Sequence, residues 1–199
     1  MAIVFGRASW YISDLLFNNS VKILTDLIGF KTISGENNTA LIDYCDDILK
    51  KLGATSFRTY DDEKKRVNLF ATLKAKNSNN KKPIILSGHT DVVPVSKGWS
   101  TDPFKAEIKG DRLYGRGSCD MKGFLACVLA CVPHFQSSEL LKPIYLAFTF
   151  DEETGGFGVP YLLKKMKYDG IILAVPHKKI IDQYERFNKI SINRWEKLI

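Results

Sequence analysis

The stretch Ile144–Phe150, IYLAFTF, carries no charge and then breaks directly into Asp-Glu-Glu. A strand that is apolar on both faces must be covered on both faces, so it belongs inside a sheet packed between layers. Pro83–Leu86 (PIIL) has the same character, Arg66–Leu73 (RVNLFATL) reads as another strand, and Ile171–Val175 as a last one. Between them lie segments of helical spacing. Ile12–Ile28 is closed by Gly29, a second helix runs from Thr39 to Leu52-Gly53, a third from Met121 to Val132 before Pro133, and a fourth from about Phe157 to Met166. Short apolar strands alternating with helices predict an α/β domain, layered helix–sheet–helix, with a mixed, mostly parallel sheet. Thr90–Gly117 is punctuated by Pro94, Gly98, Pro103, Gly110, Gly115 and Gly117 and reads as one long loop of the kind that carries function.

In such sheets, sites form where loops leave the carboxyl ends of strands. Three loops fit: SGHTD after PIIL, CDMKG after the long loop, and DEETGG after IYLAFTF. His89 can bind a metal through one ring nitrogen while a carboxylate such as Asp91 holds the other N–H. Asp120 stands between a glycine-rich loop and a helix start, and its two oxygens could bridge two cations. Of the adjacent Glu152 and Glu153, one could ligate metal while the other faces an attacking water as general base. Taken singly, each has a plainer reading: a core histidine, a helix N-cap, a solvated acidic turn. Together, at successive strand ends, they point to metal-assisted hydrolysis.

Composition sets bounds on this. Of 199 residues, 45% are hydrophobic and 26% charged, as in globular proteins rather than disordered ones. No apolar run reaches the length of a membrane span, and the start lacks the pattern of a signal peptide. The four cysteines, Cys45, Cys119, Cys127 and Cys131, show no CxxC pair and read as small buried thiols of a cytoplasmic protein. Most of the +7 net charge falls from Lys164 onward, without a nucleic-acid-binding motif, and reads as a solvated basic tail. Neither nucleic acid nor membrane is expected as a partner.

The wording GHTDVVPV, GWSTDPF, LYGRGSCDMKG and DEETGG resembles the M20 family of zinc aminoacylases and peptidases. The form Cys-Asp-Met-Lys-Gly and the early LIGFKTISGENNTALIDY are most similar to its acetylornithine deacetylase branch. The resemblance implies two Zn²⁺, replaceable by Co²⁺, held by His89, Asp120 (bridging) and Glu153. It implies Asp91 as the residue orienting His89 and Glu152 as the general base. It also implies a small N-acylated amino acid as substrate, N-acetyl-L-ornithine above all, cleaved to ornithine and acetate.

Where the family has a glutamate ligand before a proline, this chain reads Val175-Pro176-His177. Aligning on Pro176 puts Val175 at the ligand position, whereas counting from the acidic pair lands near His177; loss of the ligand is the favoured register. Residues 1–177 are accordingly expected to form the N-terminal part of the catalytic domain, and 178–199 a divergent basic tail. The lid or dimerisation domain and the remaining ligands are expected to have no counterpart in this chain. With two ligands for each zinc, Asp120 being shared, little or no activity is expected of the isolated chain. Two alternatives stay open at this stage: an inactive remnant, or a relative acting on succinyl-diaminopimelate or peptides.

Overall fold

The computed structural model describes residues 7–75, 82–166 and 171–173, with side chains described for 14–75 and 82–166. Four helices, α1 (Arg7–Gly29), α2 (Thr39–Lys51), α3 (Lys122–Ser137) and α4 (Gly158–Lys165), alternate with seven strands. The strands are β1 (Thr55–Tyr60), β2 (Val67–Leu73), β3 (Ile84–His89), β4 (Glu107–Lys109), β5 (Arg112–Tyr114), β6 (Ile144–Thr149) and β7 (Ile171–Leu173). Five of them form one sheet in the order β1-β2-β6-β3-β7, while β4 and β5 pair separately as a hairpin. The main sheet is mixed: β1–β2 and β2–β6 run antiparallel, β6–β3 and β3–β7 parallel.

Side-chain alternation along the central strands divides the core into two layers. Leu69, Ala71 and Leu73 of β2, with Leu146 and Phe148 of β6, pack with Leu27, Leu41, Leu49, Leu125 and Leu129 from α1, α2 and α3. The opposite face, Phe70, Ile85 and Ala147, packs with Val159, Leu162 and Leu163 of α4. This is the helix–sheet–helix layering expected of strands apolar on both sides.

Several expectations shift. The loop after Thr90 is not featureless, because it holds the β4–β5 hairpin, whose three-residue strands are too short to leave a periodicity. Strand β1, TSFRTY, escapes a hydrophobic scan because Arg58 stands at its centre. That guanidinium is neutralised from α2 by Asp43 and Asp46, at 2.5 and 2.6 Å. Helix α3 does not stop before Pro133 but continues to Ser137. Proline removes one helical N–H, and Phe135, packed against the larger core cluster, holds the additional turn. Of the cysteines only Cys45 is buried; Cys119 and Cys127 are exposed and Cys131 is intermediate, so the reading of four buried thiols fails for three of them. A thiol's small size lets it occupy a helix's wet face as readily as its core face. No helix among the described residues is long and apolar enough to cross a membrane.

Candidate metal centre

The site follows from the parallel pairing of β3 with β6. His89, the last residue of β3, stands opposite Thr149, the last of β6. Both strands therefore release their loops at one level, and HTD and DEE emerge side by side. Thr90 N–H donates to Thr149 O at 2.8 Å, carrying the pairing one residue past the strand. A single bridge between Ile33 and Val92 lays the Ser34-Gly35 turn against the same edge.

His89 is 1% exposed. Its Nδ1 lies 2.9 Å from the backbone oxygen of Asp91, which can only accept, so the proton is on Nδ1 and Nε2 points away from it. Nε2 lies 3.0 Å from Asp120 Oδ1 and 3.7 Å from Glu152 Oε2. Among the described residues, His89, Asp120 and Glu153 offer donor atoms that all lie within 4.8 Å of one another.

Asp91 does not join that cluster. Its buried carboxylate accepts from Ser34 Oγ at 2.7 Å and from the backbone N–H groups of Glu152 (3.0 Å) and Glu153 (3.2 Å). These donors, with His89, outweigh burial and hold its pKa below the ordinary carboxylate range. Glu153 moves the other way: burial and the charges of Asp120, Glu152 and Asp91 outweigh the lowering effect of His89 and raise its pKa. Burial pulls the His89 imidazole down, but Asp91 and Glu152 prevail and push it up to about 9. One nitrogen and two carboxylates around one point are a donor set suited to a borderline divalent cation such as zinc. The residues present therefore fit a metal ion.

Asp120 is no N-cap: Met121 occupies that position without a side-chain cap bond, and the Asp120 side chain is 67% exposed. His177 lies outside the described residues, and with it the choice between the two registers.

Supporting residues went unread in the sequence. Asp151, buried at φ 55°, accepts from Gly35 N–H at 2.7 Å and is paired with Arg66, which also holds Asp61 at 2.9 Å. Lys122 is wholly buried, its Nζ donating to Phe30 O at 2.6 Å, and burial draws its pKa down to about 8. Its place in Asp-Met-Lys-Gly, directly after a candidate ligand, was the one available signal. Asn68 spans the sheet, donating to Gly158 O at 2.7 Å and accepting from Phe150 N–H at 3.1 Å.

Residues 85–185 match the sequence profile of peptidase family M20/M25/M40. A succinyl-diaminopimelate desuccinylase of Legionella pneumophila (strain Lens) is 38% identical over 158 residues, covering 76% of this chain and 40% of the relative. An acetylornithine deacetylase of Proteus mirabilis is 34% identical over 149 residues, 71% of this chain and 38% of the relative. The chain thus spans about 40% of the length of the curated relatives it matches. Among solved structures, an M20 family metallo-carboxypeptidase from Sulfolobus solfataricus superposes with a TM-score of 0.64 at 27% identity, over 78% of this chain and 37% of that one. Human carnosine dipeptidase 1 reaches 0.67 at 22% identity, over 82% and 39%, and shows the shared fold. With the motifs at the ends of β3 and β6 and the profile match across them, the chain belongs to peptidase family M20/M25/M40.

Proposed function

We propose that this chain carries the metal-binding site of a hydrolase of small N-acylated amino acids, with N-acetyl-L-ornithine as substrate and L-ornithine and acetate as products. The observation that supports the reading best is the convergence of His89, Asp120 and Glu153 with Glu152 beside them. These three residues would hold Zn²⁺, or Co²⁺ in its place. Counted as a two-zinc site, each ion has two of these ligands; counted around one ion, the set supplies the about three that a catalytic zinc needs. We therefore assign one tightly held ion to the set, a second being held more weakly through the shared Asp120.

The chemistry such a cation supplies when bound is polarisation of the amide carbonyl and acidification of a water. Glu152, its side chain 7% exposed and its Oε2 3.7 Å from His89 Nε2, would take the proton from the attacking water and pass it to the departing amine. The C–O bond to the acyl carbon forms, the C–N bond breaks, and the amine leaves with that proton. Asp91 holds the peptide carrying Glu152 and Glu153 while its own carbonyl oxygen orients His89. The product ornithine suits arginine biosynthesis, and the four unpaired cysteines fit a reducing cytoplasm.

A second reading, removal of the succinyl group from N-succinyl-diaminopimelate, draws on the 38% identity to the desuccinylase. Incubating the chain with Zn²⁺ or Co²⁺ and each substrate, and measuring the released amine, separates the two. The count of two ligands per zinc predicts little or no turnover. Three ligands around one ion predict turnover of N-acetylornithine that disappears in Glu152→Gln, and the one-ion assignment makes the latter the expected result. Preference for the succinyl substrate selects the second reading. A metal-loaded chain that hydrolyses neither overturns both.

A further inference from the structure

The side chain of Asp120 is exposed and, among the described residues, has one hydrogen-bond partner, His89 Nε2 at 3.0 Å. A carboxylate held so lightly keeps its place through the backbone that carries it. That backbone is pinned on either side: Ser118 N–H donates to Gly115 O at 3.2 Å and Lys122 N–H to Gly117 O at 2.8 Å. Lys122 alone continues this anchorage into the interior. It is wholly buried, and its Nζ donates to Phe30 O at 2.6 Å, its one side-chain hydrogen bond among the described residues. Burying an ammonium against a single neutral acceptor is costly, and a methionine would fill the space without that cost. What the acceptor is joined to accounts for the cation. Phe30 O also receives Thr32 N–H at 3.0 Å. Thr32 in turn donates through Oγ1 to Thr90 O at 2.6 Å and accepts Val92 N–H at 2.9 Å, on either side of Asp91. One carbonyl therefore couples the loop of Asp120 to the loop of His89 and Asp91. The stem of the lysine lies in the same joint, because a Cβ on Gly117 would stand 2.7 Å from Val92 and 3.2 Å from Lys122 Cδ.

We propose that Lys122 is a positioning residue whose ammonium, through Phe30 O, sets Asp120 where it and His89 can share one metal ion. The proposal rests on the reading above that Asp120 is a metal ligand.

The test measures zinc affinity of the full chain by competition with a chromophoric chelator, in the wild type, Lys122→Met, Lys122→Arg, Asp120→Ala and the double variant Lys122→Met with Asp120→Ala. Lys122→Met keeps the stem and removes the donor, and is expected to weaken zinc binding about 10–100-fold, with Lys122→Arg regaining part of the loss. In the Asp120→Ala background the same change is expected to cost nothing further, because its effect runs through that carboxylate. An equal loss in both backgrounds, or none in either, overturns the positioning role. If Lys122→Met does not fold, the Nζ resonance of Lys122 in lysine-labelled chain decides. It is expected to shift on zinc addition in the wild type and not in Asp120→Ala; a signal unmoved by zinc, or moved equally in both, overturns the role. Unchanged zinc affinity in Asp120→Ala overturns the metal assignment, and the proposal with it; a loss there with none in Lys122→Met overturns the proposal alone. Amide hydrolysis is measured separately, and a chain that behaves as expected toward zinc without cleaving any amide overturns the hydrolase reading and leaves the role of Lys122 in place.

Discussion

The carboxylate of Asp91 receives the backbone N–H of Glu152 at 3.0 Å, joining the loop after β3 to the loop after β6. The same residue offers its carbonyl oxygen to His89 Nδ1 at 2.9 Å. One buried aspartate thus determines both where the imidazole points and where the acidic pair lies, without reaching the donor cluster itself.

Asp91→Asn keeps the shape but sets an NH₂ group against N–H donors that need an acceptor. Zinc affinity is expected to fall about 10–100-fold, the range for lost partners of metal ligands, with a lowered melting temperature. Competition against a chromophoric chelator measures the first quantity. Unchanged affinity would show that the acidic loop is held by other means.

Arg66 neutralises Asp61 and Asp151, which are 4% and 2% exposed. Arg66→Ala would leave both carboxylates without a cation, holding only backbone N–H donors, and breaking a buried pair from one side costs about 3–5 kcal/mol. Urea denaturation should show a loss of that order. The Asp151–Gly35 bond ties this loss to the site, so zinc affinity should fall as well.

Asp46, 1% exposed as a side chain, accepts from Lys50, Ser56 and Arg58 at 2.8, 2.5 and 3.0 Å. Burial raises its pKa, but these donors prevail and hold it below the ordinary value. A carboxylate depressed in the folded state contributes stability in full above its unfolded pKa of about 4 and loses it as pH falls through the folded value. The urea midpoint should therefore drop below about pH 4, and Asp46→Asn should flatten that drop while costing about 3 kcal/mol at pH 7. Equal acid slopes in the two proteins would remove Asp46 from the acid transition.

Gly158 opens α4 where a Cβ would stand 2.4 Å from Phe150 O and 2.7 Å from Asn68 Oδ1. Gly158→Ala must push back the strand end that leads into Asp151, and a loss of about 2 kcal/mol is expected. Gly29, with nothing within 4 Å of its would-be Cβ and no positive φ, is the control. Gly29→Ala should be neutral or stabilise by up to about 1 kcal/mol. Thermal melts of both variants check the contrast.

The sequence by itself determined the layered α/β class, the stretches that become β2, β3, β6 and α4, and the residue types of the site. It could do so because strand and helix periodicities are local, and because IYLAFTF and PIIL require cover on both faces. Only the tertiary structure placed β6 between β2 and β3 with His89 level with Thr149. It alone turned Glu153 toward Asp120 and His89, gave Asp91 two backbone donors about 60 residues away, and set the buried Lys122 against Phe30 O. Such contacts join segments separated by whole helices and strands, and their geometry depends on sheet order and loop closure. Local spacing does not encode them.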